Sequence, residues 1–423
     1  MTKSHIFRAF SEKSFVMLWL GEVFTQISIN LFNFFLLLVV YSLTKSNTAV
    51  AGVVLSYTIP AILFGVLAGV YVDRWPKKKV MYGANIIRAI LLLLLIFFHS
   101  NLFVIYGISF LISVLTQFFI PAESPMIPLV VKKKHLFSAN ALFGMGLYGS
   151  ILIAYILSGP LLLHLGKTTV LILLALLMLI GALFIYAIKL PKSRNKFKRP
   201  ILYIGERGVI IEVKEAIKIM TKTKVVRNSL FLLSLSQVLI LVVSVLAPGY
   251  ASQILKIRIE DFPLLFVAPA AFGVVVAAVV IVNKFHDYSK EKMATIGLIL
   301  SGLAMLFLPY CSKLASREIV VTLNTYLPNF FQISVGDLLV VTAFLLGVAN
   351  ALVFVPSNTL LQEKTTDEFR GKIYGALNTI VGILSLLPVL LAGGLSDILG
   401  VAWVVTGIGI VILILGVFRI FVD

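Results

Sequence analysis

The stretch Gly65-Val-Leu-Ala-Gly69-Val-Tyr-Val-Asp73-Arg74-Trp-Pro76-Lys77-Lys78-Lys79 joins two long apolar runs, and its pattern sets the fold class. A glycine such as Gly69 in an apolar helix allows a neighbouring helix to approach closely. The Asp73 carboxylate suits a helix N-terminus or a cation. A run of lysines is typical of a loop on the cytoplasmic side of a membrane. The stretch therefore predicts a tight cytoplasmic turn between two membrane-spanning helices.

Long apolar runs extend on both sides of this turn. The chain of 423 residues is 60% hydrophobic and 13% charged, so it has too little polar surface for water-soluble domains. Continuous apolar runs favour helices over the alternating strands of a β-barrel. At about 20 residues per crossing, the runs predict twelve transmembrane helices, at residues 15–43, 48–72, 80–98, 102–128, 138–164, 168–189, 229–255, 263–283, 293–310, 337–361, 372–398 and 401–421.

The basic residues give the expected orientation in the membrane. Of the 36 Lys and Arg residues, 29 fall in segments that share one side if both termini are cytoplasmic, 6 fall on the other side, and Arg88 lies within a helix. This asymmetry predicts a multi-pass protein of the inner (plasma) membrane with both termini in the cytoplasm. Because the net charge of +18 sits in short loops between apolar runs, it does not indicate a nucleic-acid partner.

The chain repeats itself, which predicts two pseudo-symmetric six-helix bundles in an all-α integral membrane protein. At a constant offset, Phe119-Ile-Pro121 recurs as Phe354-Val-Pro356, Ala141-Leu142 as Ala376-Leu377, and Gly159 as Gly394, while Phe15 to Glu22 resembles Leu230 to Gln237. Such duplication is typical of transporters whose substrate site lies between related bundles. The expected boundaries are residues 1–190 for the first bundle, 191–228 for a cytoplasmic linker and 229–423 for the second bundle.

The linker carries a periodic segment of its own. Val209, Val213, Ala216, Ile217 and Met220 recur at helical spacing opposite charged residues, which predicts an amphipathic helix on the inner membrane surface. This helix could serve as a tether between the bundles or as a regulatory, lipid-sensing element.

The turn after the second predicted helix resembles the signature of the major facilitator superfamily, Gly-x-x-x-Asp-Arg-x-Gly-Arg-Lys. Gly69, Asp73, Arg74 and Lys78 match, Lys77 stands in for the arginine, and Pro76 replaces the second glycine. The resemblance implies a conformational latch, formed by Gly69, Asp73, Arg74, Lys77 and Lys78, that joins the inner ends of the two halves. A generic cytoplasmic turn is the alternative for these residues.

The resemblance extends along the chain and is strongest to the drug:proton antiporter branch, which includes macrolide-efflux and siderophore-export permeases. The segments that carry it are Leu18-Trp19-Leu20-Gly21-Glu22, Leu43-Thr44-Lys45-Ser46, Asp73-Arg74-Trp75, Phe119-Ile-Pro121-Ala122, Ser138-Ala139-Asn140-Ala141-Leu142, Leu361-Gln362-Glu363 and Arg370-Gly371-Lys372. Two features depart from this branch. The fourth predicted helix lacks an intramembrane arginine, and the fifth has only Ser158-Gly159-Pro160 of a longer glycine-rich antiporter motif.

Polar residues on one face of the first predicted helix are the leading candidates for a transport site. Glu22, Gln26, Asn30 and Asn33 follow at spacings of four, four and three, which places them on one side of a helix. An acid and amides along an apolar span are typical of a cavity lining, and a buried acid can load and release a proton. Glu22 is therefore expected to contact a proton or the substrate, with a structural hydrogen bond as the alternative.

Other polar residues in the predicted helices are weaker candidates. Arg88 is expected to form an ion pair that fixes helix packing, with Glu123 as a possible partner. Asp397, at the outer end of the eleventh predicted helix, is expected to be solvated. Further proton or substrate candidates, equally suited to holding helices together, are Gln117, Gln237, Asn350, Asn358 and Asn378. A helix-packing hinge is expected at Ser158, Gly159, Pro160, Gly393 and Gly394.

The sequence contains no pattern for an enzyme or a cofactor. It has no Gly-x-x-x-x-Gly-Lys-Ser/Thr loop, no metal-ligand spacing, and a single cysteine, Cys311, so no cofactor, metal or internal disulfide is expected. The interpretation is a secondary active transporter that exports amphipathic compounds against a proton influx, functions as a monomer and contacts lipid, protons and a small-molecule substrate. Proton-coupled uptake of a metabolite is one alternative, and a membrane-embedded lipid-modifying enzyme or flippase is another.

Overall fold

The computed structural model describes residues 9–132, 135–190, 223–285, 288–310, 321, 322, 325, 335–364 and 367–421, which are helical apart from short connections. The labelled helices are α1 (Lys13–Thr44), α2 (Asn47–Arg74), α3 (Lys77–Phe98), α4 (Leu102–Glu123), α5 (Leu136–Ala187), α6 (Lys224–Gly249), α7 (Ala268–Lys284), α8 (Lys290–Phe307), α9 (Val335–Glu363), α10 (Asp367–Leu399) and α11 (Val401–Ile420).

Ten helical stretches among the described residues are long and apolar enough to span a membrane. The long helix α5 contains the fifth and sixth predicted crossings, which are separated by Gly166 at φ 73° and ψ 169°. Positive φ is a backbone region that glycine adopts without steric cost. Helix α8 covers the ninth predicted crossing and begins with Lys290, Glu291 and Lys292. The all-helical membrane fold predicted from the sequence is confirmed.

Prolines and irregular turns set helix ends that the apolar runs did not predict. The fourth crossing was predicted at residues 102–128, and the apolar helical stretch extends from Leu102 to Val130, although α4 itself ends at Glu123. A 3₁₀ turn at Ser124–Met126 and a helical turn at Ile127–Val130 follow, each with a proline in its first positions. Proline lacks an N–H donor, so it starts a new turn more readily than it continues a helix.

The described residues form two compact units. The first unit draws on Met1–Val39 and Leu55–Glu212, and the second on Val40–Val54 and Val213–Asp423. The second unit therefore includes the end of α1 and the beginning of α2. The predicted boundaries at residues 190 and 229 remain a prediction, and the amphipathic linker segment lies outside the described residues.

The first unit has an apolar cluster built from several helices. Its largest buried members are Phe15 and Leu18 of α1, Met81 of α3, Phe119 of α4 and Met126 of the following turn. These side chains have almost no exposed surface. Burial of large side chains at packed helix contacts stabilises this unit through close packing.

The second unit depends on glycine at its helix crossings. A Cβ atom at Gly347 of α9 would clash with the Ala270 carbonyl of α7, and one at Gly273 of α7 would clash with the Phe344 carbonyl of α9. The two glycines therefore allow backbone-to-backbone contact between α7 and α9, as small residues commonly do in membrane helices.

Asp397 of α10 differs from the expectation that it is only solvated. Its carboxylate is exposed, yet it accepts hydrogen bonds from the Ser46 hydroxyl (2.6 Å), the Asn47 N–H (2.8 Å), the Asn47 amide (3.3 Å), the Thr48 N–H (2.9 Å) and the Thr48 hydroxyl (2.7 Å). These groups lie at the N-terminus of α2, within the second unit. A carboxylate at this place satisfies free N–H groups and complements the helix dipole.

Candidate functional site

Three charged side chains are buried together in the first unit. Glu22 of α1 and Arg88 of α3 have no exposed surface, and Glu123 at the end of α4 is 6% exposed. Glu22 lies roughly 14 Å along the helix axis from Lys13, at 1.5 Å rise per residue. Charges at such depth in an apolar helix are costly unless they find partners or a function. We call Glu22, Arg88 and Glu123 the buried triad.

The Arg88 guanidinium is held by neutral groups. Its Nη1 donates to Asn85 Oδ1 at 2.8 Å, and its Nη2 donates to Thr116 Oγ1 at 2.9 Å. Its Cζ lies 4.9 Å from the centre of the Phe119 ring, in a cation–π contact. The Asn85 amide in turn donates to Thr25 Oγ1 at 2.7 Å. Arg88 is thus fixed by helices α1, α3 and α4 together.

The expected ion pair between Arg88 and Glu123 is not formed at contact distance among the described residues. Arg88 Nε is buried without a hydrogen-bonding partner there, and so are Glu123 Oε1 and both oxygens of Glu22. Arg88 nevertheless attracts both carboxylates electrostatically. Such attraction acts over longer distances in a low-dielectric interior than in water.

The Glu22 and Glu123 carboxyls are close enough to interact, as are Glu22 and the Gln26 side chain, although neither Glu22 oxygen is within hydrogen-bond distance of a partner in the described structure. An ionised carboxylate only accepts hydrogen bonds, so two carboxylates cannot bond to each other. One proton on the pair would supply the missing donor. It would also remove one of the two negative charges that are buried near each other without partners.

Two glycines bring α5 against α1 beside the triad. A Cβ atom at Gly21 would lie 2.7 Å from Ile185 Cγ1, and one at Gly181 would lie 2.8 Å from Thr25 Oγ1 and 3.3 Å from Asn85 Nδ2. Glycine at 21 thus lets α5 approach α1, and glycine at 181 leaves room for the hydrogen bond between Asn85 and Thr25. The apolar cluster, with Phe119 and its neighbours, packs beside the same charged groups.

The remaining polar residues of α1 are more accessible than Glu22. Gln26, Asn30 and Asn33 are half-buried. The Asn30 amide donates to the Gln26 carbonyl at 2.8 Å and to Gln26 Oε1 at 3.3 Å. Gln117 of α4 is also half-buried, and its amide approaches the Ser113 carbonyl at 3.5 Å. A polar face therefore continues from the buried Glu22 toward more open positions.

The second unit holds the other amide candidates. The Asn350 amide donates to Ser236 Oγ at 2.9 Å, which joins α9 to α6. Gln237 and Asn358 are half-buried, and Asn378 is exposed. The Asn350 bond is of the kind that holds helices together.

The Major Facilitator Superfamily model matches residues 18–323, more than half of the chain. This chain belongs to the major facilitator superfamily. It is accordingly a multi-pass secondary transporter rather than an enzyme, and the family implies a small-molecule substrate.

Three known proteins are similar to this chain in sequence or in fold. The uncharacterized MFS-type transporter YkuC of Bacillus subtilis (strain 168) is 32% identical over 153 residues, which is 33% of this chain and 35% of that protein. Macrolide efflux protein A of Streptococcus pyogenes is 21% identical over 401 residues, covering 92% of this chain and 90% of that protein. The crystal structure of the nucleoside transporter NupG has a TM-score of 0.68 at 13% identity, covering 95% of this chain and 98% of that one, which shows the shared fold.

The family signature after α2 is only partly described. Gly69, Asp73 and Arg74 lie in α2, but their side chains are outside the described part of the structure. Lys78 donates to the Ile188 carbonyl at 2.9 Å, and its Nζ lies 5.2 Å from the centre of the Tyr186 ring. Lys77 also has an interaction partner. The latch role of these five residues remains a prediction.

The expected hinge residues differ in how closely they are packed. The Ser158 hydroxyl donates to the Tyr155 carbonyl at 2.7 Å, and the neighbouring Gly159 is buried while Pro160 is half-buried. A Cβ atom at Gly393 would lie 2.8 Å from Ala51 Cβ and 2.9 Å from the Asn47 carbonyl, whereas one at Gly394 would meet nothing within 4 Å. Of these two glycines, Gly393 is the one that close packing requires, and the hinge role of the five residues remains a prediction.

The sequence did not indicate the polar residues that fix Arg88. Thr25, Asn85 and Thr116 are ordinary neutral residues in apolar helices. Spacing gave one usable signal, because Thr25 follows Glu22 by three positions and Asn85 precedes Arg88 by three. Side chains three apart on a helix lie on the same face. No group of three metal-binding side chains occurs among the described residues.

Proposed function

We propose that this major facilitator is a proton-coupled exporter of amphipathic organic compounds, with Glu22 as the proton carrier. Alternating access would expose the binding site to each side of the membrane in turn, and a proton entering the cell would replace the compound that leaves. We further propose that both termini lie in the cytoplasm of a cell whose inner membrane holds the protein, and that the monomer is the functional form.

The burial of Glu22 is the observation that carries this proposal. Its carboxyl has no exposed surface, and neither oxygen has a hydrogen-bonding partner among the described residues. A structural carboxylate in an apolar interior is normally saturated with hydrogen bonds, because an unpaired charge there is strongly unfavourable. A carboxyl that gains and loses a proton during each transport cycle requires a different environment. That environment must tolerate both the ionised and the protonated form.

The proposed direction of transport and class of substrate rest on one relative and on the polar face of α1. The printed name of macrolide efflux protein A assigns efflux to a protein that is 21% identical over 92% of this chain. The half-buried amides Gln26, Asn30 and Asn33 offer hydrogen bonds without charge, which suits large organic compounds better than small ions. We propose these amides, with Gln117, Gln237, Asn350, Asn358 and Asn378, as substrate contacts.

Proton movement in proteoliposomes tests the proposal. Purified protein is reconstituted, a pH gradient is imposed, and the external pH is followed while macrolides, dyes and siderophores are added. Antiport predicts substrate-triggered proton movement opposite to the substrate. The variant Glu22→Gln should abolish it, because an amide cannot carry a proton.

Glu12→Gln is the matched control, since Glu12 precedes α1 and lies near the exposed Lys132 at 3.5 Å. This variant should retain the wild-type signal. Wild-type proton movement in Glu22→Gln would contradict the proposed role of Glu22. Proton and solute moving in the same direction would instead indicate symport.

A further inference from the structure

The buried triad has two carboxyls and one arginine, so its net charge depends on how many protons the carboxyls hold. With both carboxyls ionised, the triad carries one net negative charge, and with one proton it is neutral. With two protons the triad is positive, because the arginine remains charged. A buried site disfavours net charge of either sign, so the one-proton state is the resting state.

Among the described residues, no further charged group acts on the two carboxyls. Lys13 at the start of α1 and the lysines at the start of α3 lie about 2.5 turns or more from Glu22 and Arg88 along their helices. From α5, Gly181 and Ile185 contact Gly21, the residue before Glu22, and neither of them has a titratable side chain. The groups that hold Arg88, namely Asn85 and Thr116, are neutral. Within the described structure, Arg88 is thus the cation that acts on both carboxyls.

We propose that Glu22 and Glu123 share one exchangeable proton, and that Arg88 is the fixed counter-charge that limits the pair to a single proton. Glu123 is then a proton-carrying residue in its own right, and Arg88 is a positioning residue that sets the stoichiometry. This inference rests on the proposed function, since it specifies how the proton is held and how many are carried per cycle.

The internal repeat supports a proton site in the first unit alone. At the constant offset of the repeat, Glu123 corresponds to Asn358, and Glu22 corresponds to Gln237 in the resembling segment. Each acid of the pair is therefore replaced by an amide in the second unit. In α8, the charged residues are confined to Lys290, Glu291 and Lys292 of its first turn, so the second unit lacks a counterpart of Arg88 there. Amides preserve polarity without binding a proton.

The charge count gives a specific prediction for substitutions. In Glu123→Gln, Glu22 is balanced by Arg88, so it stays ionised and carries no proton near neutral pH. In Glu22→Gln, the same holds for Glu123. In the double variant Arg88→Gln with Glu123→Gln, Glu22 is a lone buried carboxyl and binds one proton again. Arg88→Gln alone leaves two carboxyls without a cation, and both become protonated.

Infrared difference spectroscopy of the protein in lipid vesicles tests this directly, because protonated carboxylic acids have their own carbonyl band. The band is followed during pH titration, without any substrate. Wild type should show a band that disappears at alkaline pH, and the loss of the band near neutral pH is expected in Glu22→Gln and in Glu123→Gln. The double variant should regain the band, Arg88→Gln should double it, and Glu12→Gln should leave it unchanged.

Each other outcome overturns a stated part of the proposal. A band of wild-type intensity in Glu123→Gln means that Glu22 holds the proton alone, so sharing is wrong. A band that is lost in Glu123→Gln and not regained in the double variant contradicts the counter-charge role of Arg88. If wild type has no such band, the pair holds no proton. Because the double variant and Arg88→Gln are predicted to gain signal, misfolding cannot imitate the expected pattern. Failure to transport any tested compound would count against the proposed function and leave this result unaffected.

Discussion

At the scale of single residues, the sequence indicated the charged members of the site and missed the neutral ones that hold Arg88. Glu22 and Arg88 stand out because each interrupts a long apolar run. Asn85 and Thr116 do not stand out, although they hold the guanidinium in place. Their role depends on how α3 and α4 are rotated about their axes, and no residue pattern within either helix fixes that rotation.

Asn85 provides a test of this hydrogen-bond network. The substitution Asn85→Leu keeps the approximate volume but removes the acceptor for Arg88 and the donor to Thr25. Hydrogen bonds to charged groups contribute about 1.5–3 kcal/mol each, so we expect the free energy of unfolding to fall by a comparable amount. Denaturant unfolding in detergent measures it. The control is Asn140→Leu at an exposed position, which should change little. Equal stability of the two variants would argue against the network.

At the scale of helices, the apolar runs predicted which segments are helical but not how the helices end or meet. The fourth crossing reaches Val130 as its apolar run predicts, but its α-helix ends at Glu123 because prolines begin new turns there. Asp397 is exposed, as expected, and it also caps α2, about 350 positions earlier in the chain. Nothing in the sequence near either segment relates them, because the contact arises only from the packing of α10 beside the start of α2.

The cap on α2 predicts a measurable loss of stability. Asp397→Ala removes the acceptor of five hydrogen bonds from Ser46, Asn47 and Thr48. Loss of a helix cap costs about 0.5–2 kcal/mol. We expect a decrease in the free energy of unfolding within this range. Asp261→Ala is a matched control, because Asp261 forms an exposed ion pair with Arg258 and such pairs contribute little. A larger loss in the control would contradict the capping account.

The crossing of α7 and α9 predicts a second stability effect. Gly347→Ala places a methyl group against the Ala270 carbonyl, where the two backbones touch. Overpacking of this kind typically costs about 1–3 kcal/mol, so we expect a lower melting temperature. Gly407→Ala of α11 is the control, since nothing lies within 4 Å of the added atom. That variant should be neutral or slightly stabilised, because alanine favours helix more than glycine does. A neutral Gly347→Ala would show that the crossing can widen freely.

At the scale of the whole molecule, composition and repeats were sufficient for the fold class. The twelve apolar runs and the signature after α2 indicated a major facilitator, and the family match over residues 18–323 confirms it. The substrate could not be predicted, because its contacts are common amides such as Gln26 and Asn30 that suit many organic compounds. Orientation in the membrane is likewise a prediction from loop charge alone.

Cysteine accessibility tests that orientation. With Cys311 replaced by serine, single cysteines are introduced at Ser100, predicted to be extracellular, and at Lys364, predicted to be cytoplasmic; both positions are exposed. In intact cells, a membrane-impermeant maleimide should label Ser100→Cys and leave Lys364→Cys unlabelled until the membrane is opened. The reverse pattern would show that the termini face outward.

The central claim is that a proton on the buried pair drives export, and transport into inside-out membrane vesicles tests it most directly. Vesicles with an acidic interior are supplied with a labelled macrolide, and accumulation is compared between wild type and Glu22→Gln. We predict that wild type accumulates the compound against its gradient. The variant should only exchange it across the membrane without accumulation, because an amide resembles a permanently protonated acid. Accumulation by Glu22→Gln at the wild-type level, driven by the same pH gradient, would contradict the account.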